Sequence, residues 1–151
     1  MKLITGIAII ALGLGVVTCA NKAKTTTGEI VTTEKTVGIN FSDLSFAEAK
    51  ALAKKKKKII FIDAYASWCG PCKMLDKNTF SDQSVGTYFN DKFISVKIDC
   101  EKHPDGRTVA STYSVTAYPT LIWIDAEGNL VKKEVGYKNP EQLLRAVQDI
   151  K

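Results

Sequence analysis

Cys69 and Cys72, in the run Trp68-Cys69-Gly70-Pro71-Cys72-Lys73, have the type and spacing to do chemistry. If a helix opens at this pair, the first sulfur sits among unsatisfied backbone N–H groups at the positive end of the helix dipole. A thiolate is stabilised there, and its pKa falls below the ~8.5 of a free thiol. The second sulfur lies one turn deeper and can strike a disulfide made by the first. One cysteine would attack a partner's disulfide, a mixed disulfide would form, and the other cysteine would resolve it. Spacing alone leaves a second chemistry open. C-x-x-C also begins many zinc sites, and Cys100-x-x-His103 could supply another pair of ligands. A cysteine hydrolase would need a histidine poised beside the nucleophile, and His103, the one histidine, has no supporting motif.

The redox reading requires a strand that ends just before Cys69 and a helix that begins just after it. Residues 59–65, Ile-Ile-Phe-Ile-Asp-Ala-Tyr, form a short and nearly continuous apolar run, the pattern of a central strand covered on both faces. Pro71 has the fixed φ that suits a first helical turn, so a helix is expected from there, broken near residues 79–81 and resumed over 82–90. Ahead of the strand, Ser45 and Glu48 match a capping box, and Phe46, Ala49, Leu52 and Ala53 recur at helical spacing to about Lys56. Residues 93–99 read as the next strand and 106–113 as a helix. Two strands, 120–124 and 130–135, flank Asp125-Ala126-Glu127-Gly128-Asn129 as a hairpin with Gly128 at positive φ. The last helix has Asn139 as N-cap, Pro140 at the first position and Gln142 at the third. A first strand is expected near 37–41. The resulting order, β-α-β-α-β-α-β-β-α, implies an α/β domain with a central mixed sheet flanked by helices.

Within this frame the segment 66–75, Ala-Ser-Trp-Cys-Gly-Pro-Cys-Lys-Met-Leu, resembles the active-site segment of the thioredoxin family, and the resemblance extends over residues 44–151. It implies the thioredoxin fold and a thiol–disulfide oxidoreductase whose only cofactor is its own Cys69–Cys72 disulfide, with no metal. It also assigns Asp63 as the buried aspartate that assists proton transfer at the resolving cysteine. Tyr118 and Pro119 match the cis-proline loop that pairs with substrate, and Trp68, Gly70 and Pro71 complete the substrate-facing surface. The lysine that usually accompanies the buried aspartate is replaced by Ser95 in this reading, so Asp63 is expected to lack a cation. Burial without one would raise its pKa. Residues 80–85 with Phe93 and 96–99 look more like exported thioredoxin-like proteins and the soluble C-terminal domain of membrane disulfide-interchange reductases. Cys100 reads as an incidental extra thiol. A thioredoxin-fold adaptor without catalysis is the remaining alternative, and intact cysteines argue against it.

The rest of the chain bears on location. Residue 2 is a lysine and residues 3–17 are an uncharged, mainly apolar run, shorter than the roughly 18–20 residues of a membrane span. Val16-Val17-Thr18-Cys19 resembles the lipobox of bacterial lipoproteins, with Cys19 as the lipidated residue; ordinary cleavage after Ala20 is the alternative. The organisation expected is therefore a signal peptide over 1–18, a polar, threonine-rich tether over 19–40 and a folded domain over 41–151. Some 19 flexible residues would reach about 25 Å. The 151-residue chain carries a formal charge of +5. Five of its lysines form one run, 54–58, read as a solvated helix end. Basic and aromatic residues are not interleaved, which argues against nucleic acid as a partner. The expected protein is an exported, periplasmic, lipid-anchored monomer. It would reduce disulfide-bonded or oxidised proteins and be recharged by a membrane electron donor, with an oxidase or isomerase as the alternative.

Overall fold

The computed structural model describes residues 37–150. The signal peptide expected over 1–18, Cys19 and the tether as far as residue 36 lie outside the described residues. The elements follow the order β1 (Phe41–Ser42), α1 (Phe46–Lys56), β2 (Ile59–Tyr65), α2 (Gly70–Met74), a π-helical turn (Leu75–Phe80), α3 (Gln83–Lys92), β3 (Phe93–Asp99), α4 (Gly106–Thr112), β4 (Thr120–Ile124), β5 (Leu130–Val135) and α5 (Pro140–Ala146). The five strands form one sheet in the order β1-β3-β2-β4-β5. The first three run parallel, and the terminal hairpin adds two antiparallel strands.

β2 is central, and its side chains alternate between two cores. Ile60, Ile62 and Ala64 point toward α1 and α4, where Ala49, Ala53 and Val109 close over them. Phe61 points the other way, into a cluster built by the π turn, α3 and α5. There it stacks on Trp123 at 5.0 Å and meets Phe89 edge-on at 4.9 Å. Both faces are dry, which is why the run lacks the polar alternation of a half-exposed strand. Asp63 shares the Phe61 face and is completely buried.

The caps behave as the sequence implies. Ser45 and Glu48 form the reciprocal capping box of α1, and Asn139 and Gln142 form that of α5, each with Oδ1 or Oε1 accepting from the other's amide at 2.9 Å. Gly128 takes φ 98° in the hairpin. Two expectations shift. β1 is only Phe41–Ser42 rather than 37–41. Residues 38–40, counted with the tether, are tied to the fold instead: Ile39 N–H donates to Phe80 O at 2.7 Å, and Gly38 O accepts from Asn90 Nδ2 at 3.0 Å. A Cβ on Gly86 would lie 2.2 Å from Gly38 O, so the two glycines permit a backbone contact that no side chain would allow. The helix after Pro71 breaks where expected: it widens into the π turn, ends at Phe80 with Ser81 as its cap, and resumes as α3 beyond the N-cap Asp82.

Candidate active site

The C-terminal ends of β2 and β3 hold the site. β2 delivers the chain at Tyr65, a short turn carries Ser67 and Trp68, and Cys69 becomes the N-cap of α2, with Pro71 in its first turn. Cys69 and Cys72 are joined as a disulfide with Cα atoms 5.4 Å apart. Cys69 Sγ accepts a hydrogen bond from the Cys72 N–H at 3.2 Å. That is the contact by which a helix N-terminus would hold a thiolate at Cys69 once the disulfide opens. Both cysteines are buried, whereas Gly70, Pro71 and Trp68 beside them are exposed.

Trp68 is two-thirds exposed yet fixed in place. Its Nε1 donates to Glu101 Oε2 at 2.9 Å, and its ring meets Tyr118 edge-on at 5.9 Å. Tyr118 packs on Cys69, Cys72 and Ala66, and the Tyr118–Pro119 peptide bond is cis. The loop is clamped at both ends: Pro119 O accepts from Gly136 N–H at 2.8 Å, and Thr120 Oγ1 donates to Ala117 O at 2.7 Å. The structure thus brings Trp68, Gly70, Pro71, Tyr118 and Pro119 around the disulfide. Cys100 is separate from it. Its thiol is buried against the Tyr118 hydroxyl, and burial pushes its pKa up. His103 Nδ1 accepts the Asp105 N–H at 3.0 Å, and among the described residues no group of three His, Cys, Asp or Glu side chains converges as metal ligands.

Asp63 corrects one expectation. It does have a cation: Lys97 Nζ lies 2.9 Å from Asp63 Oδ2. β2 and β3 align Asp63 with Lys97 and Phe61 with Ser95, so the lysine sits two residues beyond the position assigned to it, on the same face of the sheet. The raised pKa survives nonetheless. Complete burial lifts Asp63 to about 6, against the pull of the Lys97 charge and its hydrogen bond. Asp63 Oδ1 has no hydrogen-bond partner among the described residues and is the oxygen free to carry a proton.

Three contributors were not singled out from sequence. Lys97 was visible as a lone cation inside an apolar strand, but its register was not. Asp76, on the π turn, also pairs with Lys97 and is half-exposed, so one ammonium is shared between a buried and a solvated carboxylate. Burial pulls the Lys97 pKa down, and the two carboxylates outweigh it, leaving it raised. The rings of Tyr65, Phe41 and Phe80 surround the same ammonium at 4.9–5.2 Å. Glu101 is the third, and no spacing in the sequence connected it to Trp68.

A dithiol–disulfide couple at a helix N-terminus, faced by a cis-proline loop, defines a thiol–disulfide oxidoreductase. Comparison with known proteins agrees: the thioredoxin-like domain matches residues 46–151, and the chain belongs to that family. A thioredoxin-like protein of Synechocystis sp. is 30% identical over 103 residues, covering 68% of this chain and 91% of that protein. The solution structure of a candidate disulphide-isomerase from Bacteroides thetaiotaomicron superposes with a TM-score of 0.65 at 41% identity, over 76% of this chain and 97% of that one. The thiol:disulfide interchange protein DsbD of Haemophilus influenzae is 27% identical over 114 residues; the match takes in 74% of this chain but only 20% of DsbD. No helix among the described residues is long and apolar enough to cross a membrane.

Proposed function

We propose that the protein is a membrane-tethered reductase of protein disulfides in the periplasm, working through Cys69 and Cys72. The observation that carries this reading is the position of Cys69 at the N-cap of α2, its sulfur already accepting the Cys72 amide. In the reduced protein a Cys69 thiolate attacks one sulfur of a substrate disulfide, and the other substrate sulfur leaves with the electron pair and takes up a proton. Asp63, ionised above its pKa of about 6, then takes the proton of the Cys72 thiol. The Cys72 thiolate attacks Cys69 Sγ, the second substrate sulfur departs, and the Cys69–Cys72 disulfide remains. Two electrons have passed to the substrate. A thiol donor at the membrane must return them, because the compartment is oxidising.

Trp68, Gly70 and Pro71 offer the substrate an apolar rim, and the Tyr118–Pro119 loop lies beside its backbone. The tether and a lipid on Cys19 would keep the domain near the membrane that holds its donor. Support for reduction rather than oxidation comes from the Gly-Pro pair shared with reducing relatives, whose potentials lie near −270 mV, far from the −120 mV or so of strong oxidants. Reduction of insulin disulfides by dithiothreitol tests the activity. The native protein is expected to accelerate it and Cys69→Ser to abolish the acceleration, while Cys72→Ser should trap a mixed disulfide through Cys69. Acceleration that persists in Cys69→Ser would overturn the assignment.

A further inference from the structure

An indole that is two-thirds exposed, as Trp68 is, has little packing to select its rotamer. Left free, such a side chain must be ordered each time a substrate arrives, at a cost of about two- to tenfold in affinity. Trp68 is instead held from two sides. Its ring meets Tyr118 edge-on at 5.9 Å, and its Nε1 donates to Glu101 Oε2 at 2.9 Å. Tyr118 belongs to the rim itself, so Glu101 is the contact that ties the indole to the rest of the fold.

The placement of Glu101 follows from the end of β3. Asp99, the last residue of that strand, is buried, and its Oδ1 accepts the Glu101 N–H at 3.0 Å and the Lys102 N–H at 3.1 Å. The Cys100 N–H donates to Tyr65 O at 2.8 Å, and the His103 N–H closes the turn on Asp99 O at 2.9 Å. The turn is thereby fastened to the ends of both β2 and β3. It also reaches the second ring of the rim, since the Cys100 thiol lies against the Tyr118 hydroxyl. Adjacent residues of one turn thus address both rings beside the disulfide. Glu101 is exposed and forms no ion pair among the described residues. Its carboxylate is therefore committed to the indole, and a hydrogen bond to an ionised acceptor is stronger than one between neutral groups.

We infer that Glu101 is a positioning residue for disulfide exchange, fixing Trp68 as a preformed wall of the substrate groove beside the Tyr118–Pro119 loop. The inference rests on the reading of the disulfide end as the substrate site, and it holds whichever way the electrons pass. Glu101 acts through the indole and not on the sulfurs, so its effect belongs to substrate binding rather than to the exchange step.

Steady-state kinetics of insulin reduction by the full chain, together with NMR of its two indole Nε1–H groups, test this. Trp123, completely buried, is the internal reference. Glu101→Ala should raise KM about three- to tenfold, change kcat by less than about twofold, and loosen the Trp68 indole on the ps–ns timescale while Trp123 stays rigid. Glu101→Gln, whose amide oxygen still accepts the indole N–H, should bring both readouts back toward native values. In a Trp68→Ala background, Glu101→Ala should raise KM no further. An unchanged KM or an unchanged Trp68 signal in Glu101→Ala would overturn the inference. So would a Gln variant that behaves like the Ala variant, because the charge rather than the bond would then matter. If the protein proves to be an oxidant, the same KM comparison is made with its oxidised form and a reduced, unfolded protein. The reductase reading then fails, while the KM ratio between variants still supports or overturns the role of Glu101.

Discussion

At the scale of single residues, Asp63 is the group through which the proposed mechanism would respond to pH. Folded, its carboxyl titrates near 6, against 3.8 for an unburied aspartate, because burial outweighs Lys97. A raised carboxyl pKa favours the protonated folded form. The stability it contributes is fully present below about pH 4 and is lost as pH rises through about 6. At neutral pH the ionised group then costs up to about 3 kcal/mol. Asp63→Asn is expected to raise stability by about 1–3 kcal/mol near pH 7 and to leave it nearly unchanged near pH 4, as read from urea unfolding. The same variant should slow disulfide reduction and remove its rise with pH around 6. An unchanged pH profile would contradict the proton-acceptor role. Asp76 adds a finer test. It repels the Asp63 charge and shares Lys97, so Asp76→Asn should lower the Asp63 pKa and move the pH midpoint of reduction downward.

At the scale of elements, the local signals were the ones legible in the sequence. The capping residues Ser45, Glu48, Asn139 and Gln142, the hairpin glycine Gly128 and the apolar run of β2 act within a few residues, and each forms as read. What the sequence hid depends on pairing between distant elements. Register moved the aspartate's lysine from Ser95 to Lys97, because residues two apart on a strand share a face and only the neighbouring strand distinguishes them. The Trp68–Glu101 bond and the sharing of Lys97 with Asp76 likewise span 33 and 21 residues. The contact of residue 38 with α3 is another such pairing, and it makes a prediction of its own. Gly86→Ala would drive a methyl group into Gly38 O, with about 1–3 kcal/mol of overpacking. Hydrogen exchange should show residues 38–40 released from the fold while the central strands stay protected. Unchanged protection of Ile39 N–H would mean that the contact does not hold this segment.

At the scale of the whole molecule, the two ends of the sheet have different chemistry. The C-terminal ends of β2 and β3 carry a buried disulfide, an exposed but fixed indole and a clamped cis-proline loop, while the opposite pole carries the exposed lysines 54–57. The central claim concerns the first end: that Cys69 and Cys72 form a reducing couple. Their equilibrium potential against glutathione tests it most directly, with the thiol and disulfide forms separated by alkylation and mass. A reductase is expected near −270 mV, so that the disulfide persists except under the most reducing glutathione mixtures. A potential above about −150 mV would contradict the account and make the protein an oxidant or isomerase of disulfides.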